Sequence, residues 1–234
     1  MTGNRPPGRL IGSGRAADVY ELSSERVLRR YRIKADVEHE ARLMRYLWSA
    51  GFPVPEVYDA DGTDMVLARL RGIDMLSDLA RRPWRARRHA STLARMHDQL
   101  HQIAAPSWLP RPLADHAGST GDRVVHLDLH LGNVVLAEIG PVVIDWSNGA
   151  AGPPGADVAM AALIMRISEV DELPLPVRPI AGRVRRSVVR QFERSVSHDG
   201  EPWLVEVAKL RLVDRNVRPA EADVLRRMID GRGS

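Results

Sequence analysis

An α+β chain in two parts is predicted by three features of the sequence. Short strand-like runs separated by turn residues fill Arg9 to Leu70, one amphipathic helix interrupts them, and beyond Gly72 apolar positions recur at helical spacing. The first part is therefore an antiparallel sheet plus one helix (1–70), and the second is mainly helical (71–234). At 234 residues and 44% hydrophobic content the chain can bury a sizeable core.

Each element follows from local pattern. Arg9 to Ile11, Val19 to Leu22 and Val27 to Tyr31 read as consecutive antiparallel strands, joined by a Gly-rich turn and by Ser23 to Glu25. A helix runs from about Asp36 to Ser49. Gly51, Pro53 and Pro55 then break the chain before strands at Glu56 to Asp59 and Met65 to Leu70. In the second part, helical stripes cover Leu79 to Ile103, Gly155 to Glu169, Arg178 to Ser195, Trp203 to Val213 and Ala220 to Asp230. Between them, Val124 to Trp146 reads as a strand, a polar loop, Val134 to Leu136, a turn near Gly140, and Val142 to Ile144. Ala104 to Arg123 is the loose stretch, and no internal repeat is visible.

Composition narrows the function classes. The formal charge is +4, from 34 basic and 30 acidic residues, so no strong positive field points to nucleic acid. Without cysteine there is no disulfide, thiolate metal site or thiol catalysis, and a cytoplasmic location is expected. The polar start, Met1 to Arg9, has no apolar leader core, and no apolar run approaches the ~20 residues of a membrane span, so no membrane partner is expected. Oligomeric state is left open.

The chemistry concentrates in His126-Leu127-Asp128-Leu129-His130-Leu131-Gly132-Asn133, followed after a short hairpin by Val142-Val143-Ile144-Asp145-Trp146. Phosphoryl transfer needs a carboxylate to take the acceptor's hydroxyl proton, and hard oxygen ligands to hold Mg²⁺ against nucleotide phosphates. Asp128 suits the first role, Asn133 and Asp145 the second. Asp128 and Asn133 share one loop, and the hairpin returns the chain so that Asp145 can face it.

His-x-Asp-x-His-x-x-Asn with Ile-Asp-Trp resembles the aminoglycoside phosphotransferase and choline kinase family more closely than protein kinases. The resemblance runs in order from Leu10 to about Met165. It implies a protein-kinase-like two-lobed fold and transfer of the γ-phosphoryl group of ATP, with GTP not excluded, to a small-molecule hydroxyl with Mg²⁺. It also implies that Gly12, Ser13, Gly14, Arg15, Ala16 and Ala17 form the nucleotide loop. By comparison with the kinase strand, Arg29 stands where a lysine is usual, and Ala68, Arg69 and Leu70 form the connection beside the adenine. Asp157 resembles the family's second downstream aspartate, which braces the catalytic loop. His126 is expected to support that loop, and His130 to brace it or touch the acceptor.

One assignment rests on periodicity. At ~100° per residue, Val37, Ala41, Met44, Leu47 and Trp48 form an apolar arc that includes Glu40 and leaves Glu38 outside. A carboxylate on a buried stripe needs a partner, so an ion pair between Glu40 and Arg29 is predicted.

After Met165 the resemblance fades, so the acceptor, whether antibiotic or metabolite, is not specified. The last third mixes acids with at least as many arginines, only Glu169, Asp171 and Glu172 cluster, and a polycationic acceptor is not favoured. Arginines 81, 82, 85, 87 and 88 form a basic stretch that reads either as a solvated helix face or as a site for a phosphorylated metabolite. The competing function is a nucleotide-binding regulatory module without transfer activity, suggested by arginine at the lysine position and by the reduced glycine loop, where Ala17 stands in place of a third glycine. A protein kinase fits less well, because eleven residues between Asp145 and Asp157 are too few for a long activation segment.

Overall fold

In chain order the elements are β1 (Leu10–Ser13), β2 (Ala17–Glu21), β3 (Arg26–Tyr31), α1 (Val37–Ser49), β4 (Val57–Asp61), β5 (Asp64–Ala68), β6 (Gly72–Asp74), α2 (Met75–Arg81) and α3 (Ala86–Leu100). There follow β7 (Arg123–Val125), β8 (Val134–Ala137), β9 (Gly140–Val143), β10 (Ala150–Gly152), α4 (Pro154–Ile167), α5 (Arg178–Ser195), α6 (Leu204–Leu212) and α7 (Pro219–Asp230). The computed structural model describes residues 8–14, 16–32, 37–113, 123–167, 176, 178–214 and 217–231. Arg15 and the acidic trio Glu169, Asp171 and Glu172 lie outside the described residues, as does 114–122 of the loose stretch.

The chain divides into two compact units, residues 1–73 with 134–147, and residues 74–133 with 148–234. In the first unit a five-stranded antiparallel sheet has the order β1-β2-β3-β5-β4, with Val19 opposite Arg29 and Arg29 opposite Met65. Side chains alternate along β3. That alternation separates two neighbouring arginines: Arg30 grips Asp64 with two bonds of 2.7 and 2.6 Å, while Arg29 turns to Glu40. Helix α1 buries Val37, Glu40, Ala41, Leu43, Met44 and Leu47. The predicted arc is corrected at one end, because Trp48, in the last turn before the left-handed bend at Gly51, is 49% exposed and Leu43 is buried instead.

The expected second part loses a ribbon to the first unit. The β8–β9 hairpin groups with 1–73 because the Val143 N–H donates to the Pro53 carbonyl at 2.8 Å and the fully buried Trp146 meets Phe52 edge-on, ring centroids 5.8 Å apart. Gly140, with φ 120°, turns the ribbon where other residues would be strained. The three-stranded sheet β6-β8-β9 was not foreseen at β6, where Gly72 is required because a Cβ would lie 2.2 Å from the Leu136 carbonyl oxygen.

Among its described residues the second unit is mainly helical, with β7 paired antiparallel with β10 and one isolated bridge between Ala104 and Arg123. The predicted single helix over Leu79 to Ile103 is two helices. Asp74 caps α2 by accepting the Ser77 N–H at 2.7 Å, the chain breaks at Arg82-Pro83, and a 3₁₀ turn at Pro83–Arg85 leads into α3. The remaining helices begin and end within two residues of the predicted limits. Helix α4 is buried on nearly all sides, with Leu163 packed in one cluster with Val207 of α6 and Leu225 of α7.

Candidate active site

In the first unit the predicted ion pair is present. Arg29 Nη1 lies 2.9 Å from Glu40 Oε1, and its Nη2 lies 2.7 Å from Asp145 Oδ1. Glu40 is 3% exposed and also accepts from the Tyr31 hydroxyl and, at 3.0 Å, from the Trp146 N–H. Burial works against the Arg29 charge, but Glu40 and then Asp145 outweigh it, so the guanidinium is more strongly basic than a free arginine. Asp145 takes a left-handed backbone, φ 66°, a conformation that aspartate tolerates better than most residues, and its Oδ1 also accepts from Ser147 Oγ at 3.3 Å.

The turn between β1 and β2 closes with Gly14 N–H donating to the Ala17 carbonyl at 2.9 Å. Neither glycine is required by the turn itself. Both have negative φ, and a Cβ would meet its nearest neighbour at 3.7 Å at Gly12 and 3.4 Å at Gly14. Ser13 Oγ donates to Asp18, Ala16 is exposed and Ala17 buried. In the connection after β5, the N–H groups of Ala68 and Arg69 are taken by the carbonyls of Glu56 and Glu25, both at 2.9 Å. The N–H and C=O of Leu70 have no partner among the described residues.

In the second unit the loop after β7 is held from beneath. Leu127 has φ 57°, and its N–H donates to Asp157 Oδ1 at 2.7 Å, while Asp157 Oδ2 pairs with His101 Nε2 at 3.0 Å. Asp157 is fully buried; burial alone would raise its pKa, but the hydrogen bond from His101 leads the interactions that reverse this and hold it well below the ordinary carboxylate range. Its position as the brace inferred from sequence follows from these bonds. Asp128 is thereby presented at the loop surface. Asn133 Nδ2 donates to the Asp128 carbonyl at 2.9 Å and to its Oδ2 at 3.1 Å, which leaves Asn133 Oδ1 without a protein donor among the described residues. His130 Nδ1 accepts the Gly132 N–H at 3.0 Å, a loop-bracing contact, and its Nε2 lies 3.9 Å from Asp128 Oδ1.

Sequence reasoning missed Arg211. Its Nη1 lies 3.7 Å from Asp128 Oδ1, and it is fixed by Glu221 through Nε at 2.8 Å and by Asp214 at 2.9 Å. Burial opposes its charge, but Glu221 leads the carboxylates that raise its basicity. The only sequence signal was an arginine among many on a helix; Leu210, packed against Val125 and Leu127, is what brings α6 to the loop.

A strand cation paired to a helix carboxylate in the first unit, and an aspartate–asparagine loop braced by a buried aspartate in the second, are each features of the kinase-like phosphotransferase class. Residues 7–120 and 107–183 match the phosphotransferase enzyme family, and the chain belongs to that family. It is a small-molecule kinase. A comparison with curated proteins gives no match. Among solved structures, the aminoglycoside phosphotransferase APH(4)-Ia is similar at 15% identity over 95% of this chain and 91% of that one, with TM-score 0.65. A choline/ethanolamine kinase family protein from Mesorhizobium loti is similar at 14% identity over 98% and 89%, TM-score 0.57. The amicoumacin kinase hAmiN, solved with AMP-PNP, Ca²⁺ and Ami, is similar at 14% identity over 95% and 86%, TM-score 0.54. At these identities the likeness is one of fold. Among the described residues no helix is long and apolar enough to cross a membrane.

Proposed function

We propose that this enzyme transfers the γ-phosphoryl group of ATP to a hydroxyl of a small molecule, an antibiotic or a metabolite, with Mg²⁺. The observation that carries the reading is the fixed amide of Asn133: with Nδ2 committed to Asp128, its one remaining hard oxygen donor has no protein partner among the described residues. Residues present fit the groups required. Asn133 Oδ1 and the 40% exposed side chain of Asp145 would hold the cation, and together they are too few to do so without phosphate and water, as Mg²⁺ prefers. When bound, the cation neutralises charge on the phosphate oxygens.

The chain's own residues do the rest. Asp128 orients the acceptor hydroxyl and receives its proton as the new O–P bond forms and the bond to the β-phosphate oxygen breaks, releasing ADP. Arg29, held by Glu40, directs a rigid cation toward the phosphates, as a lysine would in a kinase. The turn Gly12 to Ala17 gives room for backbone approach, supported by glycines that the fold does not itself demand. The N–H and C=O of Leu70, without partners among the described residues, suit an adenine edge.

ADP release is measured with ATP, Mg²⁺ and a panel of aminoglycosides, choline, amino sugars and neutral sugars. Wild type is expected to turn over at least one, and Asp128→Ala to lose about 10³-fold or more in kcat while nucleotide affinity stays nearly constant. Equal activity in the two proteins refutes the assignment of Asp128. A second reading, a nucleotide-binding module without transfer, is favoured by one observation: Arg29 is already engaged at both Nη atoms by carboxylates. Silence across the whole panel with intact ATP binding supports that reading instead.

A further inference from the structure

The arginines singled out between residues 81 and 88 do not behave as one group. Asp78, 2% exposed, pairs with Arg82, with Arg85 at 3.1 Å and with His89 at 2.7 Å, so those two arginines serve the interior. Arg87 and Arg88 instead point outward from the first turn of α3. A cation there opposes the helix dipole, and no side chain caps that end. Stability does not account for their presence.

A second set of exposed arginines stands on a segment ninety residues further along the chain. Helix α5 packs along α3, with Gln191 Nε2 donating to Ser91 Oγ at 3.2 Å and the Phe192 ring 5.0 Å from that of His97. Its exposed residues include Arg183, Arg186, Arg190 and Arg194, spaced as one row along a helix face about 17 Å long. None of the four has a carboxylate partner among the described residues, and Glu193, the one acid of α5, is held by Arg166. Like charges at this spacing repel. Met75–Leu100 and Arg178–Ser195 together hold twelve arginines against three acids, a balance of +9, so with +4 overall the remaining residues carry −5. The modest total charge conceals a polarised second unit.

Apolar side chains stand in the same segments. Trp84, in the 3₁₀ turn before α3, is 75% exposed, and Ile180, one turn before Arg183 in the same row, is 55% exposed. An outward indole and a row of exposed guanidinium groups suit a headgroup layer, where the ring lies at the interface and the guanidinium groups meet lipid phosphates. A single-stranded nucleic acid would use aromatics set within a groove, for stacking on bases. We propose that the exposed arginine row of α5, with the exposed start of α3, docks the protein peripherally on an anionic phospholipid surface.

Sedimentation with sucrose-loaded vesicles tests this on the full chain. Wild type is expected to sediment with phosphatidylcholine vesicles holding roughly a third phosphatidylglycerol, to stay in solution with phosphatidylcholine alone, and to be released by about 0.5 M salt. At about fivefold per arginine, R183Q/R186Q/R190Q/R194Q lowers partitioning several hundredfold. Trp84→Ser, at a site too exposed to affect folding, lowers it several-fold without changing charge. Failure of wild type to sediment with the anionic vesicles overturns the proposal. So does an equal loss in the charge-matched control R45Q/R123Q/R226Q/R227Q, which would reduce the effect to net charge. Tighter binding to duplex RNA than to the vesicles, abolished by the same fourfold variant, overturns it in favour of a nucleic-acid surface.

Discussion

Glu40→Gln is expected to destabilise the first unit by about 3 kcal/mol. The carboxylate has three protein donors, Arg29 Nη1, the Tyr31 hydroxyl and the Trp146 N–H, and is 3% exposed. A glutamine offers one acceptor oxygen in place of two: with that oxygen on Arg29 and the Trp146 N–H, its NH₂ faces the Tyr31 oxygen and the hydroxyl proton is left without its acceptor. At least one buried donor loses its partner, at ~1–3 kcal/mol. Breaking a buried ion pair outright costs about 3–5 kcal/mol, but Arg29 retains Asp145, which puts this variant at the lower end of that range. For a chain of this size the shift in Tm is about 6–12 °C. Tryptophan fluorescence during urea and thermal unfolding reads it directly, because Trp146 is buried beside Phe52. A double-mutant cycle with Tyr31→Phe should show coupling above ~0.5 kcal/mol, since both changes act on one carboxylate. If Glu40→Gln melts within about 1 °C of wild type, the carboxylate is not the anchor of Arg29, and the reasoning from helix periodicity to a paired buried charge fails.

Three other outcomes are expected. Burial holds the His97 pKa down to about 4 from an ordinary 6.5. The unfolded chain therefore takes up a proton that folded His97 refuses, and stability falls by up to about 3 kcal/mol as pH drops from 6.5 towards 4. His97→Phe should flatten urea midpoints across that window, and an unchanged slope would assign the acid sensitivity elsewhere. Gly72→Ala places a Cβ 2.2 Å from the Leu136 carbonyl and should lower Tm by several degrees, about 1–3 kcal/mol. Gly12→Ala and Gly14→Ala meet nothing closer than 3.4 Å, so both should melt like wild type while raising the ATP Kd in calorimetry; unchanged Kd values would remove the turn from the nucleotide site.

What the sequence made legible was whatever a local period or a fixed spacing encodes. Arg178–Ser195 has the limits that its periodicity gave, and Glu40 was separable from Glu38 because 3.6 residues per turn places only one of them on the apolar arc. The break before α3 was signalled by Pro83, but the apolar period continues on both sides of it and hides the interruption. Strands β6 and β10 were not legible, since Gly-Ile-Asp and Ala-Ala-Gly have no alternation and pair only because other segments come to meet them. Arg211 and the α5 charge row have the same character. Each is an ordinary surface-type arginine until packing brings it to Asp128 or beside α3. Spacing could gather Asp128 and Asn133 on one loop, whereas a partner 83 positions downstream from Asp128 leaves no mark in the string.

The ribbon that carries Trp146 also fixes the order in which this protein can mature during synthesis. Residues 1–73 emerge first, yet they lack the indole that covers Phe52, the main-chain N–H that Glu40 accepts, and the second counter-ion of Arg29. The amino-terminal unit therefore stays incomplete on the ribosome until translation has passed Ser147. A fragment ending near residue 73 would leave the Phe52 ring without its cover and is expected to aggregate where the longer chain folds.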